Sequence, residues 1–137
     1  MAQSVLLVMH KKMLSDALIA QSSSDMRFKI TAEHDYATAV LTAEACSAVI
    51  TVVEIPESGL WASAEKCLAI CKVIRKYLPR CKQVILCNEN DKDSYQASIQ
   101  AKQNHVIDDF FFYDSSIHYF LTKLEALFET GKVNRRE

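Results

Sequence analysis

Met9, His10, Glu54, Cys87, Asn88 and Tyr113 stand at or just after the ends of short apolar runs. In a sheet of parallel strands those are the positions whose side chains line a site. One reading is therefore a small enzyme or ligand-binding domain, with Tyr113 and His10 as an acid–base pair. Cys67 and Cys71 are one helical turn apart and have the spacing to hold a soft metal with Cys46 or Cys87. They share their stripe with Ile74 and Leu78, so buried thiols acting as small hydrophobes are the reading taken. His10, His34, His105 and His118 form no H-x-x-x-H pair. His10, at the mouth of the first strand, is read as a solvated loop histidine rather than a pH switch. With only Gly59 and Gly131, no glycine-rich loop is available to wrap a phosphate or dinucleotide. No cofactor and no metal are expected.

The elements that would position these residues alternate. Short β-branched apolar runs separate stretches of helical period, the pattern of an α/β sheet wound with parallel strands. Strands are expected at Val5–Met9, Phe28–Ala32, Ala48–Val53, Val84–Cys87 and Asp109–Tyr113. The second alternates polar and apolar residues and reads as an edge. The third is almost uninterruptedly apolar and reads as central.

Helix one carries Leu14, Ala17, Leu18 and Gln21 at core-facing spacing. Helix two, capped by Asp35, carries Ala37, Val40 and Leu41. Helix three, Ser63 to Leu78, is closed by Pro79. Helix four, about Asp93 to Gln103, has only Tyr95, Ile99 and a few alanines as apolar content. Helix five, opened by Ser115 or Ser116, carries Ile117, Phe120, Leu121, Leu124, Leu127 and Phe128, with Gly131 as its end signal. The stretch Glu54-Ile55-Pro56-Glu57-Ser58-Gly59 reads as a loop, and Glu54 as a carboxylate exposed to water.

Half of the 137 residues are hydrophobic, enough for one core and one domain over residues 1–130. Sixteen Lys and Arg against seventeen Asp and Glu give no overall bias towards nucleic acid or an anionic membrane. The tail, residues 131–137, leans basic through Lys132, Arg135 and Arg136 and reads as a solvated end or the start of a linker. Nucleic acid enters only if a DNA-binding domain follows in a longer chain. The apolar run Val5–Met9 is too short to span a bilayer, and an odd set of five cysteines suits reduced thiols. A cytoplasmic protein is expected.

Two stretches narrow the flavodoxin-like superfold to one family. Ser47-Ala48-Val49-Ile50-Thr51-Val52-Val53-Glu54-Ile55-Pro56-Glu57-Ser58-Gly59 resembles the third-strand segment of response-regulator receiver domains, where an apolar strand ends in Asp, followed by three residues, Pro and soon Gly. Asp108-Asp109-Phe110-Phe111-Phe112-Tyr113-Asp114-Ser115 resembles the fifth-strand segment, acidic-acidic-aromatic, two apolar residues, Lys, Pro. The resemblance implies a CheY-like (βα)5 fold.

It also implies where phosphotransfer chemistry would stand. Receivers use an acidic pair after strand one for Mg²⁺, an Asp ending strand three as nucleophile, a Ser or Thr after strand four and a Lys ending strand five. Here those positions map to Met9 and His10, Val52, Asn88 and Tyr113. A valine has no oxygen to phosphorylate, and thioether and imidazole are poor Mg²⁺ ligands. The expectation is a pseudo-receiver, not an enzyme, that works through protein partners in two-component or transcriptional regulation. Receivers often dimerise through helix four, strand five and helix five, where Tyr95, Ile99, Phe110, His118 and Tyr119 are the candidates for an isologous contact.

Overall fold

The computed structural model describes residues 3–22, 28–112 and 116–136, with side chains as far as Phe128 in the last helix. Along the chain run β1 (Gln3–Val8), α1 (Lys12–Ser22), β2 (Phe28–Glu33), a 3-10 turn (Tyr36–Thr38), α2 (Ala39–Ala45), β3 (Ile50–Glu54), α3 (Ala64–Tyr77), β4 (Lys82–Cys87), α4 (Lys92–Gln103), β5 (Asp109–Phe112) and α5 (Ile117–Arg136). The five strands form one parallel sheet in the order β2-β1-β3-β4-β5. This is the expected α/β, flavodoxin-like, CheY-like fold, with β2 at an edge and β3 in the centre.

Strand alternation sorts the core into two layers. Val5, Leu7, Met9, Ile50, Val52, Val84, Leu86 and Phe111 face Leu18 of α1 and Phe120 and Leu124 of α5. Leu6, Val8, Val53, Ile85 and Cys87 face Ala39 and Ala43 of α2, Cys67, Ile70, Cys71 and Ile74 of α3, and Ala101 of α4. All five residues of β3 are buried, as a strand covered on both faces requires.

Helix boundaries follow local chemistry. The Ser63 hydroxyl accepts from the Lys66 amide to start α3. The Asp91 carboxylate accepts from Ser94 N at the head of α4. Ser116 Oγ accepts from Tyr119 N at 3.0 Å to open α5. Asp35 caps the 3-10 turn that precedes α2.

The structure corrects three features of the helices. Helix α2 turns Ala39 and Ala43 inward and leaves Leu41 69% exposed, because Ala39, Val40 and Ala43 form the stripe that meets the core and Leu41, two residues from each alanine, falls on the far side. Helix α4 buries Ser94, Ser98 and Ala101, while Tyr95 and Ile99 are half-buried. Small side chains let α4 lie close to β4, and the Ser98 hydroxyl is satisfied by the Ser94 carbonyl at 2.8 Å. Helix α5 does not end at Gly131 but continues to Arg136. A mid-helix glycine costs only about 1 kcal/mol, and no proline follows to stop the chain.

The four thiols Cys67, Cys71, Cys81 and Cys87 are buried and Cys46 is half-buried. Burial pushes Cys67 up to about 12 and Cys81 up to about 11. Such thiols favour folding while protonated. Their contribution is whole below the ordinary thiol pKa of about 8.5 and is lost as pH rises through the folded values. In the folded protein at neutral pH, iodoacetamide should modify Cys46 first, with the other four reacting only as the chain unfolds. Peptide mass mapping checks the order; equal labelling of Cys67 and Cys46 would refute it.

Candidate functional site

The carboxyl ends of β1, β3 and β4 meet at one rim of the sheet, and the strand registers decide what stands there. Val8 pairs with Val53, so Met9 and Glu54 are the next residues on adjacent strands. Glu54 in turn pairs with Leu86. Val52 lies two residues inside the strand, opposite Leu7 and Val84, and is part of the α1/α5-side core. Counting back from Pro56 assigned the strand-end position to Val52; the registers assign it to Glu54, because the segment between strand and proline is two residues shorter than that spacing assumed.

Nor is Glu54 a loop carboxylate in water. It is the last residue of β3 and has no exposed surface. Its Oε1 accepts from the backbone N–H of His10 at 2.6 Å and of Lys11 at 3.0 Å, the two residues leading into α1. Backbone N–H groups at a helix entrance lack intrahelical acceptors and stabilise negative charge, which is how a buried carboxylate is tolerated here. The Glu54 carbonyl is held as well: the Tyr36 hydroxyl donates to it at 2.6 Å and the Cys67 thiol at 3.7 Å. Burial, and next the charge of Glu54, hold the Tyr36 phenol far above its ordinary range. The Trp61 ring stacks on Tyr36 with centroids 5.7 Å apart.

A second carboxylate steadies the same rim. Glu33 ends β2 and accepts from Thr42 Oγ1 at 2.6 Å, Thr38 Oγ1 at 3.0 Å and the Asp35 amide at 3.1 Å. These bonds, the Thr42 hydroxyl foremost, hold it below the usual carboxylate range. Its carbonyl accepts from Met9 N at 3.1 Å, and the Met9 carbonyl lies 2.8 Å from His34 Nδ1.

The other described candidates turn different ways. Met9 is buried in the core, and His10 is exposed. Asn88 turns its Oδ1 to the Asn90 amide at 2.9 Å, so its side chain shapes its own loop. Cys87 faces the α2/α3/α4 side, away from Met9. Tyr113 lies outside the described residues. The residues present do not fit a Mg²⁺ site: Met9 is a buried thioether and Glu54 is engaged by backbone amides. Among the described residues, no three of His, Cys, Asp and Glu come together as a metal-binding group.

On the opposite flank, Tyr95 of α4 packs on Phe110 and Phe112 of β5, with centroids 5.9 and 5.4 Å apart. Lys102 reaches over Phe110 and pairs with Asp109 at 3.1 Å. On α5, His118 is exposed and Tyr119 is 47% exposed. Sequence reasoning missed Tyr36, His34 and Glu33. The alternation Ile50, Val52, Glu54 already put the acid on the face of Val52; what the sequence did not show is that the strand extends to Glu54.

No protein-family model matches the sequence, and no curated protein matches it. Solved structures do. A response regulator from Thermotoga maritima is 18% identical, with a TM-score of 0.74 over 93% of this chain and 98% of that one. A CheY-like receiver domain protein from Methanospirillum hungatei is 10% identical, with a TM-score of 0.75 over 98% and 99%. NtrX from Brucella abortus, in its complex with ATP, is 18% identical with a TM-score of 0.80; 99% of this chain matches 29% of that one. The fold is that of receiver domains. No helix among the described residues is long and apolar enough to cross a membrane.

If Glu54 ties the β1–α1 junction to β3, removing its acceptor oxygens strands two amides. Glu54→Ala should cost about 1–3 kcal/mol. Glu54→Gln, which keeps an acceptor, should cost less. Urea denaturation with amide hydrogen exchange at His10 and Lys11 reads both, and equal stability for Glu54→Ala and the parent chain would overturn the assignment.

Proposed function

We propose that this chain is a pseudo-receiver, a signalling module of two-component or transcriptional regulation that accepts no phosphoryl group and acts by binding protein partners. The observation that carries this reading is the Glu54 carboxylate, buried at the end of β3 and taken up by the His10 and Lys11 amides. Phosphoryl transfer needs a nucleophile open to in-line approach, a divalent cation and fixed positive charge. Glu54 has no exposed surface, and beside it stands Met9, which offers no hard oxygen ligand. An anion of the chain's own thus sits where strand three ends, so the junction with α1 is held without an added phosphoryl group.

The output face in this reading is α4, β5 and α5. Tyr95, Ile99 and Phe110 are half-buried, and His118 and Tyr119 stand out from α5. A second copy meeting the same face about a two-fold axis would cover Tyr119, and the chain would act as a homodimer or through a partner that substitutes for the second copy.

Incubation with Mg²⁺ and acetyl phosphate, or with Mg²⁺ and beryllofluoride, should give no phosphoryl mass shift and no Mg²⁺-dependent NMR change near residues 9, 10, 54 and 113. A Mg²⁺-dependent adduct abolished by Glu54→Gln would overturn the reading. In light scattering after size-exclusion chromatography, the chain should run as a dimer that Tyr119→Glu weakens by about tenfold or more; a monomer at high concentration would remove the homodimer.

A further inference from the structure

Between Glu65 and Glu89 the sequence holds six Lys and Arg and no Asp or Glu, in a chain whose totals are sixteen and seventeen. Four of the six belong to α3, with Lys66 in its first turn, and Arg80 and Lys82 follow it within five residues. Two are accounted for inside the fold. Arg75 donates to Asp108 Oδ2 at 2.6 Å, and Lys82 lies 3.9 Å from Asp108 Oδ1. Lys66 reaches the Leu60 carbonyl at 3.2 Å. Lys72, Lys76 and Arg80 are exposed and have no ion pair among the described residues. Lys76 instead lies over its neighbour Tyr77, 5.9 Å from the ring centroid.

The helix dipole favours cations in the last turn, which covers Arg75 and Lys76. It does not account for Lys72, one turn earlier and at the i, i+4 position from Lys76, where like charges are mutually destabilising. Nor does it account for what runs beside them. Ala69, Val73 and Tyr77 follow at i, i+4 and i+8, and all three are exposed, Val73 by 40% and Tyr77 by 56%. Residues four apart form the ridge by which one helix seats in the groove of another. The outer face of α3 therefore has an apolar ridge two turns long flanked by unpaired cations, on a helix whose inner face already buries Cys67, Ile70, Cys71 and Ile74.

We propose that this face docks an acidic amphipathic helix of a partner protein. The ridge of Ala69, Val73 and Tyr77 would take apolar residues at i, i+4 spacing on the partner. Lys72, Lys76 and Arg80 would pair with its flanking Asp and Glu side chains. Charge complementarity selects the occupant: exposed cations beside an aliphatic ridge call for acidic side chains flanking an apolar stripe, whereas the exposed face of α4 carries Lys92 and Lys102 against Asp93 alone. A nucleic acid would use the cations but not the aliphatic side chain among them. A contact of two to three turns is small, so the complex should be transient. The proposal is independent of whether the α4, β5 and α5 face forms a dimer.

The probe is a synthetic helix about 18 residues long, with leucines at i, i+4 spacing flanked by glutamates, titrated into isotope-labelled full-length chain. Its scrambled sequence and a labelled DNA duplex are the controls. Amide shifts should fall on Ala69, Val73 and Tyr77. Lys72→Glu combined with Lys76→Glu should weaken binding by about tenfold or more, and raised salt should weaken it likewise. Val73→Ser with Tyr77→Ser should also weaken it, with circular dichroism confirming that each variant stays folded. No binding, shifts away from α3, equal binding of the scrambled peptide, or duplex binding indifferent to Val73 and Tyr77 would each overturn the proposal.

Discussion

A carboxylate taken wholly out of water costs several kcal/mol unless donors replace its hydration. At the end of β3 that constraint governs everything nearby. Glu54 meets it by accepting from the amides of His10 and Lys11, which fixes where β1 ends, how the chain turns and where α1 begins. Its carbonyl draws in the Tyr36 hydroxyl and the Cys67 thiol, so one residue joins the α1 entrance, the turn before α2 and the first half of α3. The chain's own acid fills that junction from inside.

The layers on either side of the sheet explain why this closure can be rigid. Met9 and Val52 are part of the apolar layer under α1 and α5, so on that face Glu54 has apolar side chains for neighbours. On the other face, cysteines do the work of small hydrophobes: Cys67, Cys71 and Cys87 sit among Ile70, Ile74 and Ile85, with thiols that burial keeps protonated. Small residues also set the spacing of α4, whose serines turn inward and whose Tyr95 is displaced onto Phe110 and Phe112. The aromatic flank of the sheet is a consequence of that close approach.

The outer face of the molecule divides unevenly. Asp108 gathers Arg75 and Lys82 together with the Gln83 amide at 2.7 Å, tying α3 to the start of β4 and β5. The cations on the solvent side of α3 receive no such partner among the described residues. The same helix therefore holds the core together with one stripe and presents an unsatisfied charge pattern with the other.

Periodicity in the amino-acid sequence was enough to determine five strands, five helices and the central place of β3, because apolar spacing at two and at 3.6 residues is a local property of the chain. The resemblance added the expectation that Met9 and His10 stand where an acidic pair would be needed. Periodicity did not reveal which face α2 and α4 turn inward. That choice depends on what else fills the core: Ala39 and Ala43 face it where Leu41 does not, and Ser94 and Ser98 where Tyr95 is only half-buried. Nor did it reveal which residue ends β3, since spacing to Pro56 pointed to Val52 while pairing with β1 and β4 selects Glu54. Register is a relation between strands distant in sequence, and a buried acid is tolerated only where another segment brings two amides to it. Those two facts belong to the tertiary structure alone.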